Sequence, residues 1–132
     1  MVTQLRIPTN RTVSGPKLTM EVGRLVVDYD CEGDDGRVTN GRIVFEDILS
    51  CQFWDNSCCP AQNVLPATEI RVLEQSEYLD GVRSKWHQAV GWEEWQQSQG
   101  GSGRFRHFTI YFDDAGSLDV IASKCTVAPC TK

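Results

Sequence analysis

The chain has 132 residues, with 13 Lys or Arg, 18 Asp or Glu and a formal net charge of -5. This acidity argues against binding to nucleic acid and to anionic membranes, because both require clustered positive charge. The length suits one domain over residues 1–132, and 40% hydrophobic residues are enough for a folded core. Since no apolar run has the length of a signal peptide or a membrane span, we expect a soluble cytoplasmic protein.

The first predicted strand lies at residues 18–30, after an N-terminal arm at residues 1–16. Its apolar residues alternate in one parity before Gly23 and in the other parity after it: Leu18, Met20 and Val22, then Leu25, Val27 and Tyr29. A β-bulge inserts one extra residue into a strand, so a bulge at Gly23 would place all six side chains on one face.

The second predicted strand lies at residues 41–54. Its apolar face is formed by Ile43, Phe45, Leu49, Cys51 and Phe53. Asp47 interrupts this face, which indicates either a further bulge or a functional carboxylate.

The acidic segment VVDYDCEGDDGRV, residues 26–38, fits either a calcium loop or a hairpin turn. Five residues match the early places of an EF-hand loop: Asp28, Asp30, Glu32, Gly33 and Asp34. The twelfth place should supply a bidentate carboxylate but is Thr39, and the flanking residues favour strands over helices. We therefore expect a β-hairpin connection. The alternative is a weak divalent-ion site on Asp28, Asp30, Glu32 and Asp34.

Residues 76–90, SEYLDGVRSKWHQAV, carry the helical pattern of the chain. Ser76 is a candidate N-cap, and acidic residues follow it in the first turn. Apolar residues recur every three or four positions, at Leu79, Val82 and Trp86. The glycine-rich and serine-rich stretch at 98–103 is expected to be a flexible connector.

The segment RFRHFTIYFDDAGSLDVIASKCTV closes the chain with a predicted β-hairpin. Phe108, Ile110 and Phe112 alternate on one face, DDAGS supplies turn residues, and Leu118 to Val127 forms the returning strand. With the earlier elements, this order predicts an α+β fold. We expect one curved antiparallel sheet of about five strands with one main helix packed on it.

The residues that could carry chemistry do not form a catalytic or cofactor motif in the sequence. The six cysteines have an irregular spacing that matches zinc sites poorly. Free or buried thiols are therefore expected, with a disulfide as the alternative. His87 and His107 have no recognisable nucleophile beside them. We accordingly expect no cofactor and favour a non-catalytic protein.

The final hairpin is aromatic on both faces, which suggests that its second face is covered. Phe105, His107 and Tyr111 share this second face, opposite Phe108 and Ile110. The cover could be the helix, another protomer or a ligand. Large flat rings suit such contacts, so we predict a binding face formed by Phe105, His107, Tyr111, Trp86, Trp92 and Trp95.

The leading hypothesis is thus a binding module that forms a homodimer or binds a protein partner through this aromatic face. The alternative is a small-molecule-binding or enzymatic pocket between the sheet and the helix, taking a small apolar ligand. In that case Asp47, His107 and the tryptophans would point inward.

The ending RHFTIYFDDAGSLDVIA, preceded by a helix beginning SEYLDGVRSKW, resembles a pattern in small acidic bacterial proteins. These include immunity-protein-like families and products of mobile gene cassettes. The resemblance covers about the last 55 residues. It implies a compact α+β binding protein rather than an enzyme, and an immunity protein would use its acidic surface against a basic toxin.

Overall fold

The computed structural model describes residues 2–7, 9–10, 16–32, 36–66, 69–90, 105–112 and 115–131. Its strands and its α-helix, in chain order, are β1 (Val2–Arg6), β2 (Thr9–Asn10), β3 (Lys17–Glu21), β4 (Arg24–Glu32), β5 (Val38–Glu46), β6 (Ser50–Asp55), β7 (Glu69–Leu73), α1 (Glu77–Val90), β8 (Arg106–Phe112), β9 (Gly116–Ala122) and β10 (Lys124–Thr131). No helix within these ranges is long and apolar enough to span a membrane.

The strands form two antiparallel sheets, so the expectation of a single five-stranded sheet is wrong. Sheet 1 has the order β1, β7, β8, β9, β6. Sheet 2 has the order β10, β5, β4, β2, and β3 pairs with β4 on the same side as β2. The described part of the fold is therefore mostly β, with α1 as its main helix. The predicted N-terminal arm contributes β1 to sheet 1 and β2 to sheet 2.

Gly23 lies in a turn and not in a bulge, which corrects the predicted strand at 18–30. Its φ is 70°, a conformation that favours glycine. Val22 and Gly23 join β3 to β4, and Glu21 pairs with Arg24 across them. The change of parity in the sequence thus marks a reversal of the chain. Leu18 and Met20 still share a face with the core residues of β4, because pairing residues point to the same side of a sheet.

The chain passes between the two sheets at neighbouring corners. The predicted strand at 41–54 is divided there into β5 in sheet 2 and β6 in sheet 1. Asp47 has a φ of 54° at this corner, and its carboxylate accepts a hydrogen bond from Ser123 Oγ at 2.7 Å. Ser123 divides the predicted returning strand in the same way, because its amide donates to Glu46 O at 3.1 Å as the chain leaves β9 for β10.

The main core lies between the inner faces of the sheets. Phe45 of β5 meets Phe108 of β8 with ring centroids 5.5 Å apart, and Tyr29 of β4 meets Phe112 at 6.0 Å. Both contacts are tilted, as aromatic rings prefer. The inner faces also bury aliphatic side chains without measurable exposure: Leu25, Val27, Ile43, Ile70, Leu118 and Val120. The alternating pattern of β8 is confirmed, since its Phe108, Ile110 and Phe112 all belong to this core.

Helix α1 covers the outer face of sheet 1, which is the face opposite the main core. The predicted helix at 76–90 is confirmed from Glu77 onward. Ser76 caps it, because its Oγ accepts the Leu79 amide at 3.0 Å. Leu79 and Val82 pack with Phe105 and Ile121 in a second, smaller core. The predicted connector at 98–103 lies outside the described residues.

Candidate functional site

The acidic segment at 26–38 contains the predicted hairpin connection between β4 and β5, whose strands pair from Arg24 and Glu46 to Glu32 and Val38. Asp28 forms a two-pronged contact with Arg42, whose Nε and second terminal nitrogen donate at 2.7 and 3.3 Å. Asp34 lies outside the described residues. Where the side chains are described, no three His, Cys, Asp or Glu residues gather closely enough to hold a metal ion.

The cysteines differ in environment. Cys51, Cys58, Cys59 and Cys125 are free thiols, whereas Cys31 is disulfide-bonded. Burial raises the pKa of the Cys125 thiol to about 12. Burial, and then the charge of Asp119, raises the pKa of the Cys59 thiol. A raised pKa keeps a thiol protonated and therefore a poor nucleophile.

The predicted aromatic face is the covered outer face of sheet 1. Phe105 is 1% exposed beneath α1, and Tyr111 is 8% exposed. The Tyr111 hydroxyl donates to Asn56 Oδ1 at 2.7 Å, which ties the loop after β6 to the sheet. Trp86 belongs to helix α1, but its side chain is not among those described. Trp92 and Trp95 lie outside the described residues. Helix α1 is one of the covers considered from the sequence, and the loop after β6 is a further cover that the sequence analysis did not consider.

Asp47, the remaining predicted binding residue, is exposed at the corner after β5. Its bond to Ser123 joins the two chain crossings. The structure therefore places Asp47 at a corner in solvent, whereas His107 is buried on the outer face of sheet 1.

His107 and Asp119 form a buried pair on that face. His107 Nε2 lies 2.7 Å from Asp119 Oδ1, and the two side chains are 9% and 4% exposed. Thr109 Oγ1 donates to the same carboxylate oxygen at 2.8 Å. The pair forms because β8 and β9 align Thr109 with Asp119 and His107 with Ile121, so all of these side chains point to one face.

The pair extends into a larger group, here called the polar cluster, which comprises His107, Thr109, Asp119, Asn63, Ser76, Ser117 and Gln52. Asn63 Nδ2 donates to Ser117 Oγ at 3.1 Å and to Asp119 Oδ2 at 3.2 Å. Gln52 donates to the same carboxylate at 3.3 Å. Ser76 Oγ lies 2.8 Å from His107 Nδ1. The loop after β6 and both strands of the final hairpin therefore meet at the Asp119 carboxylate, and the start of α1 joins them through His107.

The electrostatics of the polar cluster favour an ionised Asp119. Burial alone would raise the pKa of this carboxyl, but hydrogen bonds from His107 and Thr109 and the nearby imidazole charge hold it below the ordinary value. Because the carboxylate accepts from Nε2–H, a neutral His107 ring presents Nδ1 as an acceptor to the Ser76 hydroxyl. The arrangement of hydroxyl, imidazole and carboxylate is that of a general-base relay.

Two members of this relay, Ser76 and Asp119, were missed as site residues at the sequence level. The sequence indicates Ser76 only as a helix cap and Asp119 only as a residue of the returning strand. The available signal was the alternation of RHFTIYF against GSLDVIA, which puts polar residues of both strands on the same face. Using this signal requires knowledge of the hairpin register, because a slip of one residue would turn the Asp119 side chain toward the main core.

The second candidate site is the uncovered edge of sheet 2, here called the β3 edge and defined by Lys17 to Glu21. All five residues are exposed, including Leu18 at 38% and Met20 at 60%. Phe53 of edge strand β6 is 41% exposed nearby. Leu18 and Phe53 line a groove of about 370 Å³ together with Pro16, Asp55 and Ala115.

The backbone of the β3 edge has hydrogen-bonding groups that no other strand of the described residues uses. A two-residue turn joins Glu21 to Arg24, so this flanking pair exchanges both of its backbone bonds, and bonded pairs then alternate along the hairpin. The N–H and C=O groups of Leu18 and Met20 consequently point away from β4. Among the described strands, only β4 pairs with β3.

Comparison with known proteins found no matching family model, no matching curated protein and no matching solved structure.

Proposed function

We propose that this protein is a non-catalytic binding module that accepts an extended segment of a protein partner along the β3 edge. The observation that carries the proposal is the exposure of this strand, in which all five residues are accessible and two are large apolar side chains. An unpaired strand offers regularly spaced donors and acceptors to another chain, and the side chains beside it supply specificity.

The sequence placed the binding contact on the aromatic face, and the proposal moves it to the β3 edge. Phe105 and Tyr111 are buried beneath the helix and the loop, so a partner could reach them only if these elements left the sheet. Leu18, Met20 and Phe53 require no such rearrangement. The groove that Leu18 and Phe53 line adjoins the unpaired backbone, and both features are used when a strand is added to a sheet.

The test uses a backbone change that leaves the fold of β3 intact. Met20→Pro removes an outward N–H, and proline is tolerated on an edge strand where its missing N–H would face solvent. Met20→Ala is the matched control, because it shortens the side chain but keeps this donor. The probe is a set of peptides selected from a random library for binding to the wild-type chain. These peptides should bind Met20→Ala more weakly than the wild type, and their affinity for Met20→Pro should be at least tenfold lower than for the wild type.

Amide chemical shifts should locate the selected peptides at residues 17–21. Peptides that bind wild type and Met20→Pro equally well, or that shift amides elsewhere, would overturn the proposal. The circular dichroism of Met20→Pro provides the check that the variant is folded.

A second candidate function is acyl transfer at Ser76, and it is favoured by the geometry of the relay. Ser76 would be the nucleophile, His107 the base 2.8 Å away, and Asp119 the group that orients the ring. A groove of about 340 Å³ beside Tyr78 and Ser50 would receive a small substrate. It ranks second because Ser76 Oγ already accepts the Leu79 amide as a helix cap and His107 is buried.

A fluorophosphonate probe separates this function from a structural role. Labelling of the wild type that disappears in Ser76→Ala and in His107→Ala, but persists in Ser50→Ala, supports the nucleophile. If the folded wild-type chain is not labelled, Ser76 is a helix cap and the polar cluster is structural.

The cytoplasmic location expected from the sequence stays a prediction. The disulfide at Cys31 opposes it, since cytosolic thiols are kept reduced in most organisms. Alkylation of the protein inside intact cells, followed by mass spectrometry, would show whether Cys31 is oxidised before purification.

A further inference from the structure

We propose that the segment bound at the β3 edge is strand β3 of a second copy of this chain, paired antiparallel about a twofold axis at Thr19. This inference rests on the proposed function and names its partner. It predicts a dimer in which sheet 2 continues across the axis into sheet 2 of the other copy. A twofold interface uses the same surface on both copies, so the strand must be complementary to itself.

The backbone of β3 meets this requirement. Centring the pair on Thr19 places Leu18 of one copy opposite Met20 of the other. These are the two residues whose backbone groups point outward, so each facing pair can exchange both hydrogen bonds. Thr19 then faces Thr19 across the axis at a position without ladder bonds, which is consistent with its bonds being made to β4.

The charges of β3 are complementary in the same register. Lys17 of each copy lies opposite Glu21 of the other, which gives two ion pairs per dimer. Within one chain, Glu21 contacts Arg24 at 3.5 Å, and both side chains are about half exposed. A pair this open contributes little, so Glu21 is able to exchange partners at small cost.

The apolar side chains also agree with this register. Leu18 pairs with Val27 and Met20 with Leu25, so both lie on the inner face of sheet 2, where the main core is. They remain 38% and 60% exposed because sheet 2 ends there. In the dimer, each Leu18 contacts Met20 of the other copy, and the two Phe53 rings lie at the borders of the resulting apolar strip.

The neighbouring registers are less favourable. A pair centred on Leu18 places Pro16 opposite Met20, and proline has no N–H to donate. It also puts Lys17 opposite Thr19. A pair centred on Met20 puts Glu21 opposite Thr19. Both shifts remove the two ion pairs, so the charges select the register centred on Thr19.

Charge reversal tests the register in solution. Sedimentation of the wild-type chain with its Cys31 disulfide intact should show a dimer at micromolar concentration. Lys17→Glu and Glu21→Lys should each raise the dissociation constant about tenfold, since each change turns two attractive pairs into repulsive ones. The double variant with both changes should recover the wild-type dissociation constant, and an equimolar mixture of the two single variants should form a heterodimer.

A cross-link tests the axis itself. Facing residues without ladder bonds have Cα atoms about 4.5 Å apart, within the range that a disulfide spans. In a background with Cys51, Cys58 and Cys59 changed to Ser, Thr19→Cys should oxidise to a covalent dimer joined at position 19. Lys17→Cys is the matched control and should not link to itself, because the axis places it opposite Glu21.

The outcomes separate this inference from the proposed function. A wild-type chain that stays monomeric at about 100 μM overturns the second copy as partner, while the peptide selection still decides whether the β3 edge binds protein. A dimer that is unaffected by both charge reversals, or whose cross-link forms equally at positions 17 and 19, overturns the register.

Discussion

Two surfaces of this fold, the outer face of sheet 1 and the β3 edge, differ in whether other parts of the described chain cover them. The outer face carries aromatic and ionisable side chains and is covered by α1 and the loop after β6, so His107 and Asp119 satisfy one another in the interior. The β3 edge carries Leu18 and Met20, and the described residues leave both side chains exposed. Aromatic content therefore did not identify the accessible surface in this fold.

A buried polar residue and an exposed apolar residue differ in what they indicate about function. Buried polar groups need partners, and those of the polar cluster have them, so their presence is explained by the fold alone. Exposed apolar side chains beside unpaired backbone are not explained by the fold of one copy. The β3 edge is for this reason the stronger indication of a function.

The largest expected effect comes from removing the carboxylate at the centre of the polar cluster. Asp119→Ala leaves His107, Thr109 and Asn63 without their shared acceptor in a buried site. We expect the free energy of unfolding to fall by about 3 kcal/mol or more, measured by urea denaturation.

Gln52→Ala is the control for this prediction, because it removes a bond of 3.3 Å to the same carboxylate from an exposed side chain. Its cost should be under about 1 kcal/mol. Equal losses in the two variants would mean that the polar cluster is not held together by Asp119.

The pH dependence of stability should follow the same carboxylate. Since the folded chain lowers the pKa of Asp119, its contribution to stability is fully present above the ordinary pKa of about 3.9 and is lost as the pH falls through the folded value. Between pH 5 and pH 2, the wild type should therefore lose stability more steeply than Asp119→Asn. Parallel curves would show that the pKa of Asp119 is the same in the folded and unfolded chains.

A smaller effect is expected at Tyr111, where the aromatic face meets the loop. Tyr111→Phe keeps the ring and removes the hydrogen bond to Asn56, at a cost of about 1 kcal/mol in the free energy of unfolding. Asn56→Ala in the Tyr111→Phe background should add little further loss. Additive losses would instead indicate that the two side chains act independently.

The local elements of the fold could be predicted from the sequence, and their assignment to two sheets could not. The helix after Ser76 and the final hairpin follow from spacing within about 20 residues. The turn at Gly23 produces the same change of parity as a bulge, so alternation alone does not distinguish them. The corner at Asp47 is decided by its contact with Ser123, which is 76 positions away in the chain.

Only part of the candidate sites could be predicted from the sequence. His107 could be singled out because it lies on a strand between aromatic residues. Its partners could not, since Asp119 requires the hairpin register and Ser76 requires the docking of α1 on sheet 1. The β3 edge was missed because Leu18 and Met20 have the alternation of core residues. Only the position of β3 at the end of sheet 2 leaves them exposed.

The smallest effect on stability is expected for a substitution of Met20, which lies in the proposed dimer interface. Met20→Thr replaces an apolar side chain that is 60% exposed with a residue that suits strands, so the free energy of unfolding of the dilute monomer should change by no more than about 0.5 kcal/mol. Val27→Thr is the contrasting change, because Val27 is fully buried on the same face of the neighbouring strand. It should cost at least about 1 kcal/mol. If Met20→Thr destabilises the monomer as much as Val27→Thr does, then Met20 already belongs to the core and the β3 edge is not an open surface.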